Sequence, residues 1–124
     1  MQTVVETKPF SRRADQILQP DERLDLVAYL ATNPLAGDVI VGTGGIRKLR
    51  WKAKGKGKSG GVRVIYYTYD EAQPIFALLI YGKNEADDLT ADEKRMLSKV
   101  AAEIKSAAKA RGVKGMVRKW QRKP

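Results

Sequence analysis

Two runs of the chain leave little freedom about what it folds into. Val62 to Asp70 (VRVIYYTYD) and Ile75 to Tyr81 (IFALLIY) are rich in β-branched and aromatic residues, with only Glu71 to Pro74 between them. Such side chains suit a pleated, half-buried surface, and a short turn-like gap between two runs predicts an antiparallel hairpin. A lone hairpin is marginal in water, so further strands and a covering helix are required. Ile46 to Ala53 supplies a strand with Leu49, Trp51 and Ala53 on one side and Lys48, Arg50 and Lys52 on the other. Gln2 to Lys8, containing Thr3-Val4-Val5, reads as a short first strand ended by Pro9.

Helices fill the remainder. One is expected from about Ser11 to Leu18. A second is expected from Pro20, where proline suits the first turn and Asp21 and Glu22 suit the positive end of the helix. Leu24, Val27, Leu30 and Ala31 recur at helical spacing, and Asn33-Pro34 ends the pattern. The last helix opens on a capping box, Thr90-Ala91-Asp92-Glu93. Met96, Leu97, Val100, Ala101, Ile104, Ala107 and Ala108 form its apolar stripe, Lys109 and Arg111 suit its negative end, and Gly112 offers a left-handed cap. The division expected is one domain over residues 1–112 and a basic tail containing Trp120 over 113–124. The class is α+β.

The chain has neither cysteine nor histidine. Disulfides, Cys/His zinc sites and every triad that needs imidazole are therefore excluded. Nothing at Met1 to Phe10 reads as a signal peptide, and the apolar run Ile75 to Tyr81 is too short to span a bilayer. A cytoplasmic protein without membrane attachment or cofactor is expected.

Charge is the unusual property. The net charge is +10, from 24 Lys and Arg against 14 Asp and Glu. No acid occurs between Asp38 and Asp70, whereas eight basic residues do: Arg47, Lys48, Arg50, Lys52, Lys54, Lys56, Lys58 and Arg63. Strand alternation aims Lys48, Arg50 and Lys52 one way, as a phosphate groove requires. The plainer reading is a solvated sheet face with an exposed loop at Lys54 to Gly61. A second basic cluster, from Lys109 to Lys123, suits a generic electrostatic tail. Glu85, Asp87, Asp88, Asp92 and Glu93 form an acidic patch after the hairpin, of which Asp92 and Glu93 are explained by the start of the helix.

The run from Gly37 to Leu89 closely resembles the HigB branch of the RelE-type toxins. The matching motifs are GDVI-x-GTGG-x-RK-x-R at Gly37–Arg50, KGKGK-x-GG-x-R-x-IYY at Lys54–Tyr67 and IYGKNE at Ile80–Glu85. The resemblance implies N-terminal helices packed on a twisted, mainly antiparallel sheet, with a C-terminal helix. It also implies a toxin that enters the A site of the 70S ribosome and cleaves mRNA there. A cognate antitoxin of helix-turn-helix type holds such a toxin inactive.

Metal-free RNA cleavage by the 2′-hydroxyl requires a base, an acid and cations for the charge that builds on phosphorus. Lysine serves as base when neighbouring cations and burial lower its pKa, and tyrosine or lysine serves as acid. By resemblance, Lys48 and Arg50 fall on the two basic strand positions beside the scissile phosphate. Arg63 falls on the phosphate-contacting arginine of the next strand. Lys83 lies in the Gly-Lys step that ends the hairpin. Arg63 is expected to stabilise the phosphate, and Lys48 or Lys83 to transfer the proton. Tyr81 stacks on a base, holds the backbone or simply packs in the core. Arg47, Lys52, Lys54, Lys56 and Lys58 are expected to bind RNA backbone. The pattern departs from the family at Asn84, where an arginine is usual, and at Leu89-Thr90, where a catalytic tyrosine is usual.

Two other functions stay open at this level. A ParE-like gyrase inhibitor shares the fold but has no need of a cation-lined groove. A non-catalytic ribosome- or nucleic-acid-binding protein needs the charge but no proton-transfer groups.

Overall fold

The computed structural model describes residues 2–52, 61–83, 85 and 88–121, the last stretch from 111 onward by its backbone alone. In chain order the elements are β1 (Val4–Glu6), α1 (Lys8–Ile17), α2 (Pro20–Thr32), β2 (Asp38–Val39), β3 (Arg47–Trp51), β4 (Val62–Tyr67), β5 (Ile75–Gly82) and α3 (Ala91–Gln121). The strands form one sheet in the order β1-β5-β4-β3-β2. Every pairing is antiparallel except β1 with β5. The expected α+β class is what the structure shows.

Local chemistry accounts for the helix boundaries. Thr7 caps α1, its hydroxyl accepting from Phe10 N at 3.3 Å, so the helix begins before Ser11 and takes Pro9 into its first turn. In α2, Gln19 N donates to the Glu22 carboxylate at 3.0 Å. At α3 the capping box forms as expected: Thr90 N donates to Glu93 Oε1 at 2.8 Å, and Glu93 N to Thr90 Oγ1 at 3.1 Å. Gly112, however, does not end α3, which continues to Gln121. A glycine inside a helix costs about 1 kcal/mol relative to alanine, too little to stop an established helix. Among the described residues, no helix is long and apolar enough to cross a membrane.

Two apolar cores lie on opposite faces of the sheet. On the first, Phe10, Ala14 and Leu18 and then Leu26 and Leu30 of α2 pack against Leu49, Val62, Val64, Tyr66, Ile75, Ala77 and Ile80. On the second, Leu97 and Ala101 of α3 and the preceding Leu89 cover Ile46, Ile65, Tyr67 and Leu78. The buried face of α2 is centred on Leu26 and Leu30, leaving Leu24 at 71% exposure against expectation. The α3 stripe is likewise narrower than expected, because Met96 and Ala107 are exposed.

Two polar devices tie the N-terminal helices to the sheet. Arg23 of α2 bonds Glu6 on β1, Asp15 and Ser11 on α1, and the Arg23 hydrogen bond holds the Glu6 carboxyl below its ordinary value. The fully buried Tyr66 hydroxyl accepts from Gly37 N at 2.8 Å and donates to Pro34 O at 2.8 Å, fixing the α2–β2 connection. Tyr66→Phe strands both backbone groups in the interior. Urea unfolding should show a loss of about 1–3 kcal/mol, and a midpoint equal to wild type would contradict the anchoring role.

Candidate functional site

Directly paired residues share a face of the sheet, so the register decides which basic side chains meet. Arg50 pairs with Arg63, and Arg63 in turn with Tyr81. These three side chains therefore form a row across β3, β4 and β5. The face is the α3 side, because Ile65 on the same face of β4 belongs to the core beneath α3. One step along the strands, Lys48 lies opposite Ile65, itself opposite Leu79. The face thus runs from the apolar core under α3 into a charged end where β3 and β4 approach the Lys52–Gly61 connection.

Two arginines directly opposite each other repel, and such a pair is destabilising in a sheet. Arg50 is exposed, whereas Arg63 is 9% exposed, with Nη1 3.4 Å from Val62 O. The third member of the row is also unusual. The Tyr81 hydroxyl is buried and makes no hydrogen bond among the described residues. Burial pushes this phenol above its ordinary value, and the Asp88 and Glu93 carboxylates add to the rise while Arg63 opposes it. Tyr81 therefore holds its proton at neutral pH.

The remaining expected residues are distributed unevenly. The Lys48 ammonium sits 3.3 Å from Asp88 Oδ1, in the segment leading to α3. Lys83 is exposed beyond the end of β5, its backbone N donating to Gly61 O at 3.3 Å. Lys52 is exposed just past β3. Arg47 stands apart: it pairs with Tyr66 on the opposite face, and its Nη1 bonds Gly37 O at 2.6 Å and approaches Leu35 O at 3.3 Å. Its guanidinium braces the β2 connection instead of joining the row. Lys54, Lys56 and Lys58, and the departure at Asn84, lie outside the described residues.

Sequence reading did not place Asp88 in this constellation; it counted only as part of an acidic patch. Its position beside Lys48 follows from how the chain returns from β5 to α3, which has no signature in spacing. Glu85 of the same segment is fixed at the rim, accepting from Gly82 N at 3.1 Å and pairing with Arg13 of α1.

Fold and face together define a small basic α+β domain whose sheet carries a row of cations beside a buried, protonated phenol. A family model described as the RelE toxin of the RelE / RelB toxin-antitoxin system matches residues 2–120. The chain belongs to that RelE toxin family and is the toxin of a toxin–antitoxin pair, with an antitoxin as its partner.

Proposed function

We propose that this toxin, of the HigB branch, is a ribosome-dependent, metal-independent mRNA endoribonuclease that inhibits translation from the A site in the cytoplasm. The observation carrying this reading is the row Arg50–Arg63–Tyr81, which joins two cations to a proton donor on adjacent strands. Cleavage proceeds by attack of the 2′-hydroxyl on the adjacent phosphorus. Arg63 and Arg50 take up the charge that grows on the non-bridging oxygens, where preorganised cations act most strongly. Tyr81 is the proton donor to the departing 5′-oxygen, its phenol kept protonated by burial.

Lys48 and Lys83 complete the catalytic set as cations. Lys48, 3.3 Å from Asp88 Oδ1, stands beside the phosphate. Lys52, Lys54, Lys56 and Lys58 bind messenger or ribosomal RNA backbone. Arg47 contributes to that surface only through the stability of the β2 edge. The cognate antitoxin is of helix-turn-helix type.

Primer extension on a defined messenger in a purified translation system tests the reading. Cuts that need ribosomes are expected for wild type. They should weaken in the Lys48→Ala/Lys83→Ala double variant and fall by about 10²–10⁴ in Tyr81→Phe. No cuts under any condition, with ribosome binding intact, would refute the nuclease assignment. Gyrase-dependent DNA breaks would instead establish a ParE-like action on the same fold.

A further inference from the structure

The proposed set of Arg50, Arg63, Tyr81, Lys48 and Lys83 contains no carboxylate to take the proton from the 2′-hydroxyl. We propose that Asp88 is that group, a catalytic carboxylate held at the row by its ion pair with Lys48. The assignment rests on the nuclease reading above.

Geometry carries it. Asp88 Oδ1 is 3.3 Å from Lys48 Nζ, and Lys48 lies one step along β3 from Arg50 on the same face. Asp88 also lies close enough to Tyr81 for its charge to act on the phenol. A carboxylate and a phenol thus accompany the cations, so the acid and the base are different groups. The Asp88 side chain is 80% exposed, so the 2′-hydroxyl of a bound RNA can reach it without any rearrangement of the core. The group paired with it is Lys48 from β3, and its charge reaches the Tyr81 phenol on β5.

The step balances. An Asp88 oxygen takes the 2′-hydroxyl proton, and the 2′-oxygen bonds to phosphorus as the bond to the 5′-oxygen breaks. Tyr81 gives its proton to the 5′-oxygen. The products are a 2′,3′-cyclic phosphate and a 5′-hydroxyl end. Proton exchange with water then restores Asp88 and Tyr81.

The test separates bond breaking from binding, using the full chain. Single-turnover cleavage is read on programmed ribosomes. Affinity is read by fluorescence anisotropy on a labelled all-deoxy oligonucleotide, which lacks the 2′-hydroxyl. Asp88→Asn should lower cleavage by about 10²–10⁴, while affinity is unchanged or tighter because a negative charge has left the groove. Asp88→Glu should recover part of the rate, and thermal unfolding should confirm that both variants fold. An Asp88→Asn protein that cuts within a few-fold of wild type overturns the assignment. A parallel fall in cleavage and affinity also overturns it, since the residue then only shapes the groove. A wild type that cuts nothing removes the nuclease reading itself, an outcome visible before any variant is compared.

Discussion

Arg63→Ala is expected to lower ribosome-dependent cleavage by about 10²–10³, the usual cost of losing one preorganised donor to a developing oxyanion. The side chain sits in the middle of the row, between Arg50 on β3 and Tyr81 on β5, and it is far less exposed than Arg50. Strand pairing on both sides fixes its backbone, so little reorganisation accompanies the reaction. Arg63→Lys keeps the charge and loses the planar fork that fits two phosphate oxygens, and an intermediate rate is expected. Oligonucleotide affinity should fall much less than the rate, because the surrounding lysines supply most of the non-specific attraction. Single-turnover cleavage beside anisotropy reads both quantities. Equal losses in the two would mean that Arg63 binds RNA without favouring the transition state.

The second large effect concerns stability. Gly61 has φ of +71° immediately before β4, and a Cβ built there lies 2.2 Å from Trp51 O. The left-handed conformation costs a non-glycine residue about 1–2 kcal/mol, and relieving the overlap by moving backbone costs about 1–3 kcal/mol more. Gly61→Ala should therefore lose about 3 kcal/mol in urea unfolding, with a drop in Tm of about 10 °C. The obstructing atom belongs to β3, so relief requires β3 and β4 to separate at the end that carries Arg50 and Arg63. Cleavage should fall together with stability. A variant as stable as wild type would show that this junction adopts a different backbone.

Much of the architecture is legible in the sequence because the relevant signals are local. Period-two alternation locates β3, the paired aromatic and β-branched runs locate β4 and β5, and the Thr90 to Glu93 box locates the start of α3. The two-residue β2 is too short for any period to register. The faces of β5 are a different matter. Strict alternation would group Ile75, Ala77, Leu79 and Tyr81. The pairing instead steps from Tyr66↔Ala77 to Ile65↔Leu79, making Leu78 an extra residue on β5. That bulge puts Ile80 in the core beneath α1 and α2 and turns Tyr81 to the side of Arg63. Membership of the row thus depends on a pairing irregularity between two strands, which one strand's sequence does not encode. The same holds for Asp88, whose place is set by the route of the connection, and for Arg47, whose face follows from alternation but whose carbonyl partners do not.

The parallel seam between β1 and β5 also bears on the order of synthesis. Val4 pairs with Ile75, and the Gln2 side chain reaches Gln73 O across 71 positions of chain. The first strand to leave the ribosome must therefore wait for the last before it has a neighbour. Such distant pairing forms late, because the loop has to close before its contacts are gained. A nascent toxin interrupted before β5 has an unpaired leading strand and lacks Tyr81. Release of the chain before β5 thus yields a fragment with no assembled row; the row is complete only once synthesis has passed Gly82 of the 124 residues.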